Sequence, residues 1–185
     1  MLLCSFVILL KKDIKTFVAY RRVIHMGLIV LGVLRGTPYG FAAAVLIMLA
    51  HGLSSSGLFC LAAILASKTG GRGITLIKGQ LVGYPKLALF VFLVVCLNMA
   101  APPSLNLLGE LMSVVPFLIH IPILYPLLAV IIFLSVAINM YLYCRVSHGK
   151  RTYAKFQRDL RGSQLLCIFA HLFPYLLLLK LEILL

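Results

Sequence analysis

Glu110 is an acidic residue inside an apolar segment, in the run SLNLLGELMSVV at 104–115. In a helix, Asn106 four residues earlier and Ser113 three residues later lie on the same face as Glu110. A carboxylate at membrane depth costs about 2.5–3.5 kcal/mol on insertion scales, so it normally faces a bundle interior or a water-filled path. The pattern predicts a buried carboxyl that takes up and releases protons. The alternative is a structural carboxylate paired with a neighbouring Lys or Arg.

Two histidines in other apolar segments are candidates for the same chemistry. His51 lies in the longest apolar run, with Ser54 and Ser55 on its helical face. An imidazole exchanges protons near neutral pH, which suits a relay, whereas a structural hydrogen bond between helices is the alternative role. His25 lies 26 residues before His51, and relay and packing roles remain equally open for it.

The composition predicts what kind of elements must position these residues. Hydrophobic residues make up 63% of the 185-residue chain, charged residues only 11%, and the mean hydropathy is +1.12. Soluble domains have about 45–50% apolar and about 25% charged residues, and disordered chains are less hydrophobic still. Apolar runs near the ~20 residues that span a bilayer recur along the sequence. We therefore predict an all-α, polytopic transmembrane helix bundle.

The charge is strongly basic, with 17 Lys and Arg against 4 Asp and Glu, and a net charge of +13. Because the basic residues lie between apolar segments, topology signals or lipid headgroup contacts explain them better than nucleic-acid binding. No zinc-ligand spacing or dinucleotide-binding motif occurs. Single cysteines inside apolar segments predict small buried side chains rather than disulfides or metal ligands. These are Cys4, Cys60, Cys96, Cys144 and Cys167.

The apolar segments divide the chain into four parts. Residues 1–12 resemble the end of an upstream transmembrane helix, 13–148 form the main membrane region, 149–162 form a basic loop, and 163–185 form a C-terminal transmembrane helix. Within the main region, spans are predicted at about 16–34, 41–67, 81–120 and 125–143.

The segment at 81–120 is interrupted by Pro102 and Pro103. Prolines lack the backbone N–H, so carbonyls near Asn98 lose their helical partners. Irregular backbone at membrane depth persists only inside protein or beside water. Two short spans would place the basic stretch 145–161 opposite the other basic loops, whereas one interrupted crossing places it on the same side. The positive-inside tendency favours the single crossing, so we predict one broken helix, with the break near 98–110.

Three motifs occur in an order typical of one family. DIKxxxAYxxxxHM at 13–26, AHGLSS at 50–55 and PPxxNLxGE at 102–110 resemble the antiporter-like proton-channel subunits of respiratory complex I, in particular those of the chain 4 type. The resemblance covers 13–148, and FAHLFP at 169–174 also resembles the family's last helix. The sequence is similar to the distal part of such a subunit only.

The resemblance implies roles for the candidate residues. Glu110 would be the proton-accepting carboxyl on the broken helix, and His25 and His51 would deliver protons to it. Supporting positions are Lys15, Asn106, Ser54 and Ser55. The resemblance also implies that this chain binds no redox cofactor, because NAD, FMN, iron–sulfur clusters and ubiquinone belong elsewhere in the complex.

The implied function is to couple quinone reduction to proton pumping in the mitochondrial inner membrane. The implied partners are lipid, other membrane subunits and a chain that supplies the missing N-terminal helices. Two alternatives remain open: a non-conducting structural module needed for assembly, and a subunit of a multi-chain cation/proton antiporter.

Overall fold

The computed structural model describes residues 1–34, 36–120, 123, 125–150 and 159–184, and only the backbone at 115–120, 179 and 181–184. The described residues form helices joined by short connections, and an isolated bridge between Asp13 and Gly73 is their one β-type pairing. The helices are α1 (Leu2–Leu9), α2 (Ile14–Leu34), α3 (Pro38–Thr69), α4 (Gln80–Gly83), α5 (Pro85–Asn98), α6 (Leu105–His120), α7 (Tyr125–Ser147) and α8 (Gly162–Leu184). The predicted all-α fold is confirmed.

Among the residues that the structure describes, three helices, α2, α3 and α7, are long and apolar enough to cross a membrane. They correspond to the spans predicted at 16–34, 41–67 and 125–143. By contrast, α5 has 14 residues and α6 has 16, or about 21 Å and 24 Å of helix at 1.5 Å per residue. Neither covers the roughly 30 Å hydrocarbon core alone, so together they must make one crossing.

Local sequence determines where α3, the central helix, begins and ends. The Thr37 hydroxyl accepts a hydrogen bond from the Gly40 N–H at 3.2 Å, and Pro38 occupies the first helical position. Both features are typical of a helix start. At the other end, Gly70 adopts a left-handed conformation with φ of 75° and its N–H bonds to the Ala66 carbonyl. Such a glycine stops a helix and turns the chain.

The contacts with α3 show that α5 and α6 continue in one direction across the break. From the N-cap of α5 to α6, the neighbouring pairs are Tyr84 with Lys68, Val94 with Gly57, Asn98 with Ser54, and Gly109 with Ile47. The residue numbers along α5 and α6 rise while the residue numbers of their partners on α3 fall. The two halves therefore run antiparallel to α3 as one interrupted helix, which confirms the predicted broken crossing.

The break itself spans 99–104. Ala100 has a positive φ of 59°, and the bond between Pro102 and Pro103 is cis. The first helical turn of α6 begins after Ser104, whose hydroxyl accepts a hydrogen bond from the Leu107 N–H at 3.3 Å. This is a serine cap, which is a common helix start.

The basic connections meet at one end of the bundle. Ile14 N–H donates to the Arg72 carbonyl at 3.0 Å, and Ile74 N–H donates to the Lys12 carbonyl at 2.8 Å. The Gly79 N–H donates to the His148 carbonyl, and the Asp159 carboxylate accepts from the first turn of α5. The basic loops therefore share one face, as the charge pattern predicted. Most of the predicted loop at 149–162 lies outside the described residues.

Candidate functional site

Three titratable side chains meet beside the helix break, one each from α2, α3 and α6. His25, His51 and Glu110 are 1%, 1% and 6% exposed. His25 Nδ1 lies 3.3 Å from Glu110 Oε1. The rings of His25 and His51 are stacked, with centroids 4.6 Å apart and an interplanar angle of 18°. The structure thus brings the three residues predicted to carry protons into one row, in the order His51, His25, Glu110.

A glycine brings α6 close enough to α3 for this contact. A Cβ atom at Gly109 would lie 2.6 Å from Ile47 Cγ1 and 3.3 Å from the Ile47 backbone nitrogen. Real Cβ atoms do not approach so closely, so any larger residue would push the helices apart. Because Glu110 is the next residue, its position relative to His25 depends on this close packing.

Arg21 is a buried cation next to the row. It is 2% exposed, and its Nη2 donates to the Asn98 carbonyl at 3.3 Å. That carbonyl lies at the C-terminal end of α5, where backbone carbonyls have no N–H partner within the helix. The guanidinium also interacts electrostatically with Glu110, His25 and His51. Arg21 therefore caps the first half of the broken helix and places a fixed positive charge beside the titratable residues.

A network of amides and one hydroxyl joins the two halves of the broken helix. Asn106 Nδ2 donates to the Leu97 carbonyl at 2.7 Å and to Ser54 Oγ at 3.3 Å. The Ser54 hydroxyl lies 3.4 Å from Asn98 Oδ1, and Asn98 Nδ2 donates to Asn139 Oδ1 at 3.3 Å. The predicted supporting residues Asn106 and Ser54 thus reach across the break and position it.

Two other predicted supporting residues lie in different surroundings. Ser55 Oγ accepts hydrogen bonds from Arg22 Nε and Nη2 at 3.2 and 2.7 Å, so it pairs α3 with α2 beside the row. Lys15 is half-buried in the first turn of α2. Ten residues separate it from His25, about 15 Å along the helix. The structure therefore does not bring Lys15 into contact with the row.

Sequence reasoning did not assign Arg21 to the site, and it missed two further residues there. Asn139 on α7 accepts from Asn98, and the Tyr175 hydroxyl on α8 accepts from the Asn106 N–H at 3.4 Å. Asn139 is a single amide in an apolar helix and is 1% exposed. A lone Asn in a transmembrane segment often bonds to a neighbouring helix, and this signal could have identified it.

Several polar atoms of the site have no hydrogen-bond partner among the described residues. They are Arg21 Nε and Nη1, both ring nitrogens of His25 and of His51, Glu110 Oε1, and Asn106 Oδ1. Buried polar groups are normally paired with protein or with ordered water. Their concentration beside the break gives the site unused capacity to bind water or to transfer protons. In the part of the chain that the structure describes, no group of three or more His, Cys, Asp or Glu side chains could hold a metal ion.

Comparisons with known proteins agree with this geometry. Residues 1–138 match the family model described as NADH:quinone oxidoreductase/Mrp antiporter, TM. The chain is 36% identical to the NADH-ubiquinone oxidoreductase chain 4 of Albinaria caerulea over 96% of its length. It is 42% identical to the protein of that name from Anopheles arabiensis over 80% of its length.

A solved structure has the same fold. A chain of the respiratory complex I from Thermus thermophilus with bound NADH matches 94% of this chain, with a TM-score of 0.82 and 26% sequence identity. The matched region is 37% of that chain. The present chain likewise spans 41% of the Albinaria protein and 67% of the Anopheles protein. The similarity covers nearly all of this chain but only part of each longer relative.

Proposed function

Because the chain belongs to the NADH:quinone oxidoreductase/Mrp antiporter transmembrane family, we propose that it forms a proton-conducting part of an NADH:ubiquinone oxidoreductase membrane subunit. Its animal relatives and apolar helices make it a multi-pass protein of the mitochondrial inner membrane. The observation that carries the proposal is the contact of His25 with Glu110 at the break of α5 and α6.

The proton path follows from the atoms that face each other. His25 Nδ1 and Glu110 Oε1 lie 3.3 Å apart without forming a hydrogen bond, so transfer between them requires a small reorientation of one side chain or a bridging water. His51 and His25 are stacked face to face, so their ring nitrogens do not point at each other. Transfer between them requires a bridging water or a rotation of one ring. The unpaired ring nitrogens of His51 are available for that step.

Proton uptake by Glu110 changes the net charge of the site, and this change can act on neighbouring charges. With neutral histidines, the Arg21 guanidinium and the Glu110 carboxylate sum to zero, and protonation of Glu110 changes the sum to plus one. In a low-dielectric interior this change acts over a longer distance than it would in water. A neighbouring charge outside this chain can therefore influence whether Glu110 holds its proton.

Redox chemistry belongs to other parts of the proposed complex. NAD, FMN, iron–sulfur clusters and ubiquinone would be bound by other subunits, and this chain would couple quinone reduction to proton movement. The rest of the membrane subunit, corresponding to the part of its longer relatives that this chain does not match, would come from further polypeptide.

The test measures protons pumped per NADH oxidised, in membrane vesicles whose complex contains this chain. Glu110→Gln preserves shape and removes titration, so we expect proton pumping to be lost while the complex still assembles. Asp13→Asn, at an exposed acid in the basic loops, is the matched control and should pump normally. Normal pumping by the Glu110 variant would support the non-conducting assembly module instead. A purified complex without flavin or iron–sulfur signals would support the antiporter alternative.

A further inference from the structure

Two thiols from distant parts of the chain touch where α3 packs against α8. Cys60 Sγ on α3 lies 2.6 Å from Cys167 Sγ on α8, although the residues are 107 positions apart. Both are free, half-buried cysteines. Each is the single cysteine of its segment, so spacing along the sequence gave no sign of the pair.

The thiol pair is open to small solutes. It lines a cleft of about 450 Å³ together with Ala63, Ile64, Ser67, Ser163 and Gln164. Ser67 lies in the last turn of α3, and Ser163 and Gln164 lie in the first turn of α8. These polar residues are at the end of the bundle where the basic loops meet. A small polar reagent from that aqueous side can therefore reach the two sulfur atoms.

We propose that Cys60 and Cys167 form a reversible dithiol–disulfide pair that is oxidised by hydrogen peroxide. One sulfur attacks a peroxide oxygen, the O–O bond breaks, and a sulfenic acid and one water form. The second thiol then attacks that sulfur, the S–S bond forms, and the hydroxyl leaves as a second water. Two thiols and one peroxide thus give one disulfide and two waters, with sulfur oxidised and peroxide reduced.

The disulfide would connect α8 covalently to the helix that carries His51. The same α8 holds Tyr175, which accepts a hydrogen bond from Asn106 at the helix break. Oxidation would therefore restrict movement between α8 and the helices that form the site. The thiol chemistry depends on the contact of the two sulfurs and on their access through the cleft, so it stands whether or not the relay conducts protons.

The test uses the intact complex in its membrane. Samples with and without hydrogen peroxide are alkylated with N-ethylmaleimide, digested with trypsin and analysed by mass spectrometry without reduction. Cleavage after Arg35, Lys68, Arg161 and Lys180 places the two cysteines in peptides 36–68 and 162–180. We expect a cross-linked species of these peptides after oxidation, and its loss when dithiothreitol is added before alkylation.

Cysteine variants distinguish oxidation of this pair from oxidation of other cysteines. Cys60→Ser should abolish the linked species, whereas Cys96→Ser, at a half-buried cysteine of α5, should leave it unchanged. The proposal is overturned if both thiols stay equally open to alkylation after peroxide, or if they form only sulfinic acids without a linked species. If Cys60→Ser prevents assembly, the wild-type measurement and its reversal by dithiothreitol decide alone.

Discussion

At the residue scale, the site combines one acid, two imidazoles and one guanidinium in a space closed to bulk solvent. Glu110, His25, His51 and Arg21 are all buried. The types and segments of Glu110, His25 and His51 were predictable, because an acid and two histidines in apolar runs are rare and expensive, whereas Arg21 was not predicted as a site residue. Their contacts were not predictable, because His25 meets Glu110 only through the packing of α6 against α2 and α3.

We predict that His25→Asn reduces proton pumping by about tenfold or more, since general acid–base partners contribute factors of 10²–10⁴. The amide keeps a polar group near Glu110 but cannot carry a proton. The proton-to-NADH ratio in sealed vesicles measures the effect. His148→Asn, at an exposed histidine after α7, should leave that ratio unchanged. Equal ratios for the two variants would contradict a relay through His25.

The Arg21 cation is predicted to stabilise the fold as well as the charge balance. Arg21→Met removes the hydrogen bond to the Asn98 carbonyl and the electrostatic attraction to the Glu110 carboxylate. Leaving a buried carbonyl without its partner costs about 1–3 kcal/mol. We therefore expect a lower temperature for thermal dissociation of the subunit.

A double variant tests that explanation. Glu110→Gln added to Arg21→Met removes the uncompensated charge and should recover part of the lost stability, so the two effects should not add. Purely additive effects on the dissociation temperature would show that Arg21 and Glu110 do not interact.

At the element scale, the broken helix is positioned by its packing against α3. The prolines and the loop charges predicted the interruption. The bonds that hold its halves were not predictable, because Asn106 reaches Leu97 across the break and Asn98 reaches Asn139 on another helix. Such contacts depend on three-dimensional geometry that a pattern of apolar and polar residues does not contain.

We predict that Gly109→Ala destabilises the subunit by about 1–3 kcal/mol, the usual cost of overpacking, and reduces proton pumping. The added methyl would meet Ile47 at 2.6 Å and move Glu110 away from His25. Thermal dissociation and the proton-to-NADH ratio are the measurements.

Gly52→Ala is the matched control, since a Cβ there meets nothing within 4 Å. Alanine in a helix interior is about 0.5–1 kcal/mol more favourable than glycine, so this variant should be as stable as the wild type or more stable. The close-packing account would be contradicted if Gly109→Ala behaved like Gly52→Ala.

At the scale of the whole molecule, the basic loops lie at one end of the bundle. The sign and distribution of charge predicted this arrangement, because one interrupted crossing was needed to bring the stretch at 145–161 to the same side as the other loops. The longer relatives extend beyond the matched region, and how that additional chain packs around this one could not be read from the sequence.

We predict that trypsin cleaves after Lys78 and Arg161 from one side of the membrane only. The basic end should face the matrix under the positive-inside tendency. Sealed vesicles that expose the matrix face should give both cleavages, and vesicles of opposite orientation should give neither. Cleavage at the two sites from opposite sides would contradict a single crossing by α5 and α6.

The central claim is that the carboxyl of Glu110 gains and loses a proton as the complex turns over. Infrared difference spectroscopy of the complex, comparing oxidised and NADH-reduced states, measures this most directly through the C=O stretch of a protonated carboxyl. We expect a carboxyl signal in the wild type that is missing in Glu110→Gln and retained in Asp13→Asn. An unchanged carboxyl signal in Glu110→Gln would contradict the claim.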